Sequence, residues 1–149
     1  MACKKVLASG WKFEVETETE DTFVEIKGIN NFTPNPTVTN AEGTDFNSNG
    51  SEEQTPALRG LTVNLTGFYL ENKATGVRDP GQERVEELSS QVGCEALARF
   101  RMTSPGGTTY TFNAGYNATI GGGGNADNSA WSVEVTRSGA TTVEPANNG

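Results

Sequence analysis

The sequence predicts a mainly β fold, a β-sandwich or open barrel of about seven strands with one flanking α-helix over about 80–92. Three observations carry this. Only 34% of the 149 residues are hydrophobic, and Thr, Asn and 18 Gly take the place of helix formers. Apolar and polar residues alternate with period two in several separate stretches. A single segment carries both a helix start and a helix stop signal. A chain of this length fits one domain, with its core over about 10–139 and flexible ends at 1–9 and 140–149.

The elements follow in order. In "GWKFEVETETEDTFVEIKG", Trp11, Phe13 and Val15 alternate with Lys12, Glu14 and Glu16, which predicts a half-buried strand. The acidic "ETETED" reads as a turn and 23–27 as the second strand of a hairpin. Pro34 and Pro36 in "INNFTPNPTVTN" demote that stretch to an irregular or edge strand. Residues 41–57 carry four acids, no base and little apolar content, which predicts a mobile loop longer than the usual ~12–15 residues. In "LRGLTVNLTGFYLE", Leu61, Val63 and Leu65 alternate with Thr62, Asn64 and Thr66, and Gly67 suggests a bulge or bend before Phe68 and Tyr69.

The helix lies in "RDPGQERVEELSSQVG". Asp79 is placed as N-cap, Pro80 as first helical residue, and Gln82 completes a capping-box pattern. Val85, Leu88 and Val92 share a face, and Gly93 stands where a left-handed C-terminal turn is expected. Beyond it, Ala98, Phe100 and Met102 alternate with Arg99 and Arg101. After a Pro-Gly-Gly turn, Tyr110, Phe112, Ala114, Tyr116, Ala118 and Ile120 form the longest period-two run in the chain. Four glycines at 121–124 separate this run from Trp131, Val133 and Val135, which alternate with Ser132, Glu134 and Thr136. The tail "SGATTVEPANNG" has no core content and is expected to be extended or disordered.

Several chemistries are excluded or disfavoured. A net charge of −8 argues against gripping nucleic acid, which needs clustered Lys and Arg. The chain has no histidine, which removes histidine-dependent triads and histidine-ligated zinc. The glycine run follows one strand and leads into another with no lysine nearby, so it is a strand connection and not a phosphate loop. "GTDFNSNG" at 43–50 comes nearest to a calcium loop, but Pro56 stands where the closing glutamate belongs. Cys3 and Cys94 are far apart and lack metal-ligand spacing. The N-terminus is too weakly apolar for a signal peptide, and no 18-residue apolar run exists for a membrane span. No catalytic residue, metal or cofactor is expected.

The order of pieces "FVEIKGI", "RGLTVNLTGFY", "RDPGQERVEELSSQVG", "FRMTSPGGTTYTF" and "GGGGNADNSAWSVEVTRSG" resembles the major tail tube proteins of long-tailed, noncontractile bacteriophages. The resemblance implies a subunit that stacks as hexameric rings around a channel, holding a tape-measure protein during assembly and passing DNA during infection. Its implied partners are itself, the tape-measure protein, and tail terminator and tail-tip proteins. Its implied location is the virion tail, after assembly in the host cytoplasm. The loop at about 40–57, with Glu42, Asp45, Phe46, Glu52 and Glu53, would reach a neighbouring subunit or ring. Thr62, Asn64, Thr66 and Glu134 are candidates for the lumen lining, where an acidic, Thr/Asn-rich surface lets DNA slide. Arg99 and Arg101 would be unwelcome there and are expected to pair with acids across a subunit interface. The alternative is a monomeric carbohydrate-binding or adhesion sandwich using Trp11, Trp131 or Tyr116 as a sugar platform.

Overall fold

The structure, a computed structural model, describes residues 4–42 and 54–146. Seven strands form one antiparallel sheet: β1 (Lys12–Glu16), β2 (Phe23–Glu25), β3 (Ile29–Glu42), β4 (Gln54–Phe68), β5 (Ala98–Thr103), β6 (Thr109–Ile120) and β7 (Ala130–Glu144). Their order across the sheet is β2-β1-β5-β6-β7-β4-β3. The helix α1 (Pro80–Ser89) sits between β4 and β5 in the chain.

Alternation places one apolar side chain every second residue on a single face, and the sheet rolls to enclose that face. Val15, Val63, Leu65, Phe100, Phe112, Trp131, Val133 and Val135 fill the interior. Rolling brings β1 against β3, which lie far apart in the strand order. The Phe13 and Phe32 rings meet edge to face at 5.0 Å, and Trp11 lies 5.5 Å from Phe32. The expected open barrel is thus one sheet closed along an aromatic seam. No backbone ladder joins β1 to β3 among the described residues.

The helix caps this roll. Asp79 accepts a hydrogen bond from the Gln82 N–H at 3.1 Å, and Pro80 opens the first turn, as the sequence predicts. A side chain at Gly81 would stand 2.2 Å from the Glu25 carbonyl oxygen, so glycine lets the helix start lie directly on β2. The C-terminus falls short of the expected 92. Ser90 caps the helix through its Oγ to the Glu87 carbonyl at 2.7 Å, and Val92 is left 86% exposed. Gly93 does adopt a positive φ of 72°, but it opens a separate 3-10 turn.

Two other expectations change. Residues 41–57 are not one loop: β3 runs to Glu42 and β4 begins at Gln54, paired in register. The remainder of that loop, with Asp45, Phe46, Glu52, Glu53 and the calcium-like stretch, lies outside the described residues. At the other end, β7 continues through Glu144 by pairing with β6 at 109–111, so 140–144 are strand. The irregularity expected at Gly67 is found in its ladder with β3, where the register shifts between Ile29 and Asn31, and not in its ladder with β7; a Cβ at Gly67 would lie 2.0 Å from the Gly28 carbonyl oxygen. Its role is close approach of two backbones.

β4 pairs with β7 only from Thr62 to Phe68, whereas its ladder with β3 runs on to Glu42 and Gln54. Residues 36–42 and 54–61 therefore leave the body as a two-stranded arm, about 25 Å long at the usual rise of a strand.

Candidate interaction surfaces

The outer face of the sheet carries the polar half of each alternating strand. Three rows cross β3, β4, β7 and β6 in register: Asn31, Thr66, Ser132 and Thr119; Thr33, Asn64, Glu134 and Asn117; Asn35, Thr62, Thr136 and Gly115. Thr62, Asn64, Thr66 and Glu134 thus share one surface, and Glu134 is the single charge in these rows. Hydroxyl and amide groups without fixed charge hold water and offer no electrostatic grip on a polyanion.

Further along the same face, β5 and β1 carry charges, and these are matched inside the chain. Arg101 forms a fork with Glu14, at 3.1 Å from Nε to Oε1 and 2.9 Å from NH2 to Oε2. Arg99 donates to Glu16 at 3.1 Å through Nε and also bonds Asp21. Both guanidiniums lie over the Phe23 ring, Arg101 at 4.1 Å and Arg99 at 5.4 Å from its centroid. Within the chain, the acids that meet them thus come from β1 and the turn after it. Register explains the pairing of Arg101, since Glu14 is directly opposite it on the adjacent strand. The hydrogen bond from Arg99 holds the Glu16 carboxyl below its ordinary pKa, and the bonds from Glu16 and Asp21 raise that of Arg99. The adjoining groove, about 500 Å³ and lined by Arg99, Arg101, Thr109, Thr111 and Glu144, presents guanidiniums already engaged by carboxylates.

A second polar cluster, not anticipated from sequence, ties α1 to the sheet. Arg78 donates to Glu86 Oε1 at 3.0 Å and to the Leu70 carbonyl at 3.1 Å, and stacks 3.9 Å from the Tyr69 ring centroid. The bond to Glu86 raises the Arg78 pKa. Glu86 also accepts from Trp131 Nε1 at 3.0 Å. Gln82, fully buried, donates to the Lys27 and Phe68 carbonyls and accepts from the Leu70 N–H. Its side chain therefore bridges two backbone segments, at Lys27 and at 68–70, and does not return to Asp79 as a capping box would. The available signal was its position: Gln82, Val85 and Leu88 share the buried stripe, so a glutamine there demands partners.

The glycine run is the β6–β7 connection. Gly121, Gly122 and Gly123 all have positive φ, and the Gly121 N–H donates to the Ala130 carbonyl at 2.9 Å. The Gly124 N–H is taken by Asp127 at 2.8 Å, which turns these donors inward. Trp131 is 1% and Tyr116 8% exposed, so neither offers a ring face to a sugar, and Trp11 is half-buried in the seam. Tyr116 donates to the Ala98 carbonyl, and burial pushes its pKa up. Among the described residues no group of three or more His, Cys, Asp or Glu could hold a metal, and no helix is long and apolar enough to cross a membrane.

The chain has a fold found in phage-type tails and injection devices. It is similar to a chain in the tail of an empty gene transfer agent particle with C6 symmetry, with a TM-score of 0.72 at 13% identity, covering 94% of this chain and 99% of that one. It is similar to a chain in the extended sheath-tube complex of an extracellular contractile injection system, with a TM-score of 0.62 at 12% identity and coverage of 95% and 92%. It is also similar to a chain in the six-fold symmetrised baseplate of the anti-feeding prophage, with a TM-score of 0.61 at 11% identity and coverage of 97% and 98%. No protein-family model and no curated protein matches it in sequence.

Proposed function

We propose that this chain is a non-catalytic subunit of a phage-type tail tube, built to self-assemble into a conduit. The observation that carries the reading is near end-to-end likeness of fold to chains of tail and injection-system particles, one of them with C6 symmetry. The outer polar face supports it, because an uncharged Thr/Asn/Ser surface with one glutamate suits a channel that passes DNA without retaining it.

On this reading six copies form a ring, rings stack, and Thr62, Asn64, Thr66 and Glu134 face the lumen. The arm, from Glu42 through the acidic residues Asp45, Glu52 and Glu53 with Phe46, reaches a neighbouring subunit or ring. The Arg99–Arg101 groove lies at a contact between copies, its charges already balanced within each. The tube forms in the host cytoplasm around a tape-measure protein, is closed by terminator and tip proteins, and travels in the virion. The solved structures include contractile injection devices, so the proposal is for a tube subunit of this wider class; a noncontractile tail is what the sequence resemblance adds.

The test is negative-stain electron microscopy of the purified chain over a concentration series, with and without preformed tube fragments as seeds. Rings or hollow tubes with six-fold averages are expected. A chain that stays monomeric at all concentrations and with seeds refutes the reading.

A further inference from the structure

The outer face of the sheet is built largely from Thr, Asn and Ser, and a large apolar side chain left bare on such a face costs free energy until something covers it. Among the described strand residues, two such side chains are exposed on that face: Leu58 at 67% and Phe68 at 41%. Val38, Ile120 and Val143 are exposed as well, but they pair in the rows of the enclosed face. Leu58 and Phe68 stand toward opposite ends of β4. The strand carries no inserted residue between them: at Ile29/Asn31 the extra residue belongs to β3, and the shift at Thr39/Asn40 falls beyond Leu58. Their even spacing puts both on the side of Thr62, Asn64 and Thr66, roughly 33 Å apart at the usual rise of a strand. Neither can cover the other within one molecule.

Phe68 borders a groove of about 440 Å³, walled also by Tyr69, Leu70, Lys73 and Ser129. The groove is preformed. The Phe68 N–H donates to the Gly28 carbonyl at 2.9 Å, the Tyr69 N–H donates to the Ser129 carbonyl at 2.9 Å, and the Phe68 carbonyl accepts from Gln82 at 2.8 Å. The Arg78 guanidinium lies over the Tyr69 ring. Fixed walls with an aromatic side chain among them take an incoming aliphatic group at little ordering cost. Leu58 is the complement, an aliphatic side chain carried outward on the arm. Charge agrees with the fit. Lys73 forms no ion pair among the described residues, whereas the arm beyond Leu58, out to the pair of Glu42 and Gln54, carries a carboxylate and no base.

We propose that Leu58 of one copy docks in the groove beside Phe68 of the next, with the Glu42 end of the arm toward Lys73. A knob and its pocket at opposite ends of one chain make a head-to-tail contact, which leaves a free knob at one end and a free pocket at the other and so repeats without limit. The inference rests on the tube reading and names the side chains that join successive copies along it. The strand edges stay free for pairing between copies.

The full chain is assembled with and without seeds and read by sedimentation and negative-stain electron microscopy. Leu58→Thr and Phe68→Thr replace knob and wall with a residue that the rest of the face carries. Near-UV circular dichroism from the buried Trp131 checks that each is folded, and Leu58→Thr alone serves if Phe68→Thr fails that check. Each is expected to form rings but to need at least tenfold more protein to stack them. In a Cys3→Ser/Cys94→Ser background, chains with Leu58→Cys and chains with Phe68→Cys are expected to give bismaleimide-linked dimers when mixed and none when used singly. Native tubes whose Thr variants stack at the native concentration overturn this contact and leave the tube reading standing, as do tubes whose mixed Cys chains give no linked dimer. Dimers from either Cys chain used singly mean that like ends meet, and overturn it too. A native chain that forms neither rings nor tubes with seeds overturns both.

Discussion

Gly67→Ala is expected to be among the most damaging single-methyl changes in the chain. The added Cβ would lie 2.0 Å from the Gly28 carbonyl oxygen and 2.7 Å from both the Gly28 carbonyl carbon and Ile29 Cα. All three are backbone atoms, so no side chain can swing aside. Relief requires the start of β3 to retreat by more than ~1 Å to reach ordinary contact distances. That movement lengthens the bond from the Phe68 N–H to the Gly28 carbonyl, now 2.9 Å, and disturbs the Lys27 and Phe68 carbonyls held by Gln82. Overpacking costs about 1–3 kcal/mol and a lost hydrogen bond about 1 kcal/mol, offset by about 0.5 kcal/mol from a stiffer unfolded chain. The net of roughly 1.5–3.5 kcal/mol lowers Tm by roughly 5–10 °C in a chain of this size. Gly115→Ala is the control: its Cβ would meet only Leu97 Cδ2 at 3.8 Å, and it should be neutral or stabilise by up to about 1 kcal/mol. Thermal and urea unfolding of both variants provides the assay. If Gly67→Ala unfolds within 0.5 kcal/mol of Gly115→Ala on an order-of-magnitude ledger of this kind, the close-approach argument is wrong.

Further outcomes are expected elsewhere. Gln82→Leu leaves the Lys27 and Phe68 carbonyls and the Leu70 N–H without their buried partner and should cost about 3 kcal/mol or more; faster hydrogen exchange at Leu70 would confirm the route. The pKa of Glu87 is raised first by its hydrogen bond with Glu18, so the stability tied to that shared proton is present below the ordinary value of 4.5 and lost as pH rises through the folded value. Glu18→Gln should therefore stabilise the fold slightly at neutral pH and leave it unchanged in acid, as read by urea midpoints at both. Glu16 behaves oppositely: its lowered pKa contributes stability above 4.5 that disappears as pH falls through the folded value, and Arg99→Met should flatten that acid limb. On the proposed tube reading, in which Glu134 faces the lumen, Glu134→Lys should make assembled tubes retain DNA, with retention falling steeply as salt is raised.

Much of this fold is legible because strand alternation and helix caps are local rules. Val63, Leu65, Phe100, Phe112, Trp131 and Val133 are buried as their spacing requires, and Asp79 and Pro80 start the helix where they should. The features that stay hidden depend on what lies across space. Nothing near Gly67 in the chain announces that Gly28 passes within contact distance. The acids for Arg99 and Arg101 are more than eighty residues or nearly so away, fixed by the pairing of β1 with β5. The helix stops early because Ser90 finds the Glu87 carbonyl, a competition that Gly93 three residues on does not reveal. The arm was hidden because a polar two-stranded ribbon has no buried face to imprint a period, so residues 41, 42 and 54–57 look like loop.

The aromatic closure between β1 and β3 has a mechanical consequence. Every other neighbour relation around the sheet is a ladder of directional bonds, which resists shear and ruptures together. Trp11, Phe13 and Phe32 are held by ring contact alone, an attraction that is soft over fractions of an ångström and re-forms without choosing a register. When the molecule is bent or squeezed, this line yields first and recovers, acting as a compliant joint in an otherwise stiff shell.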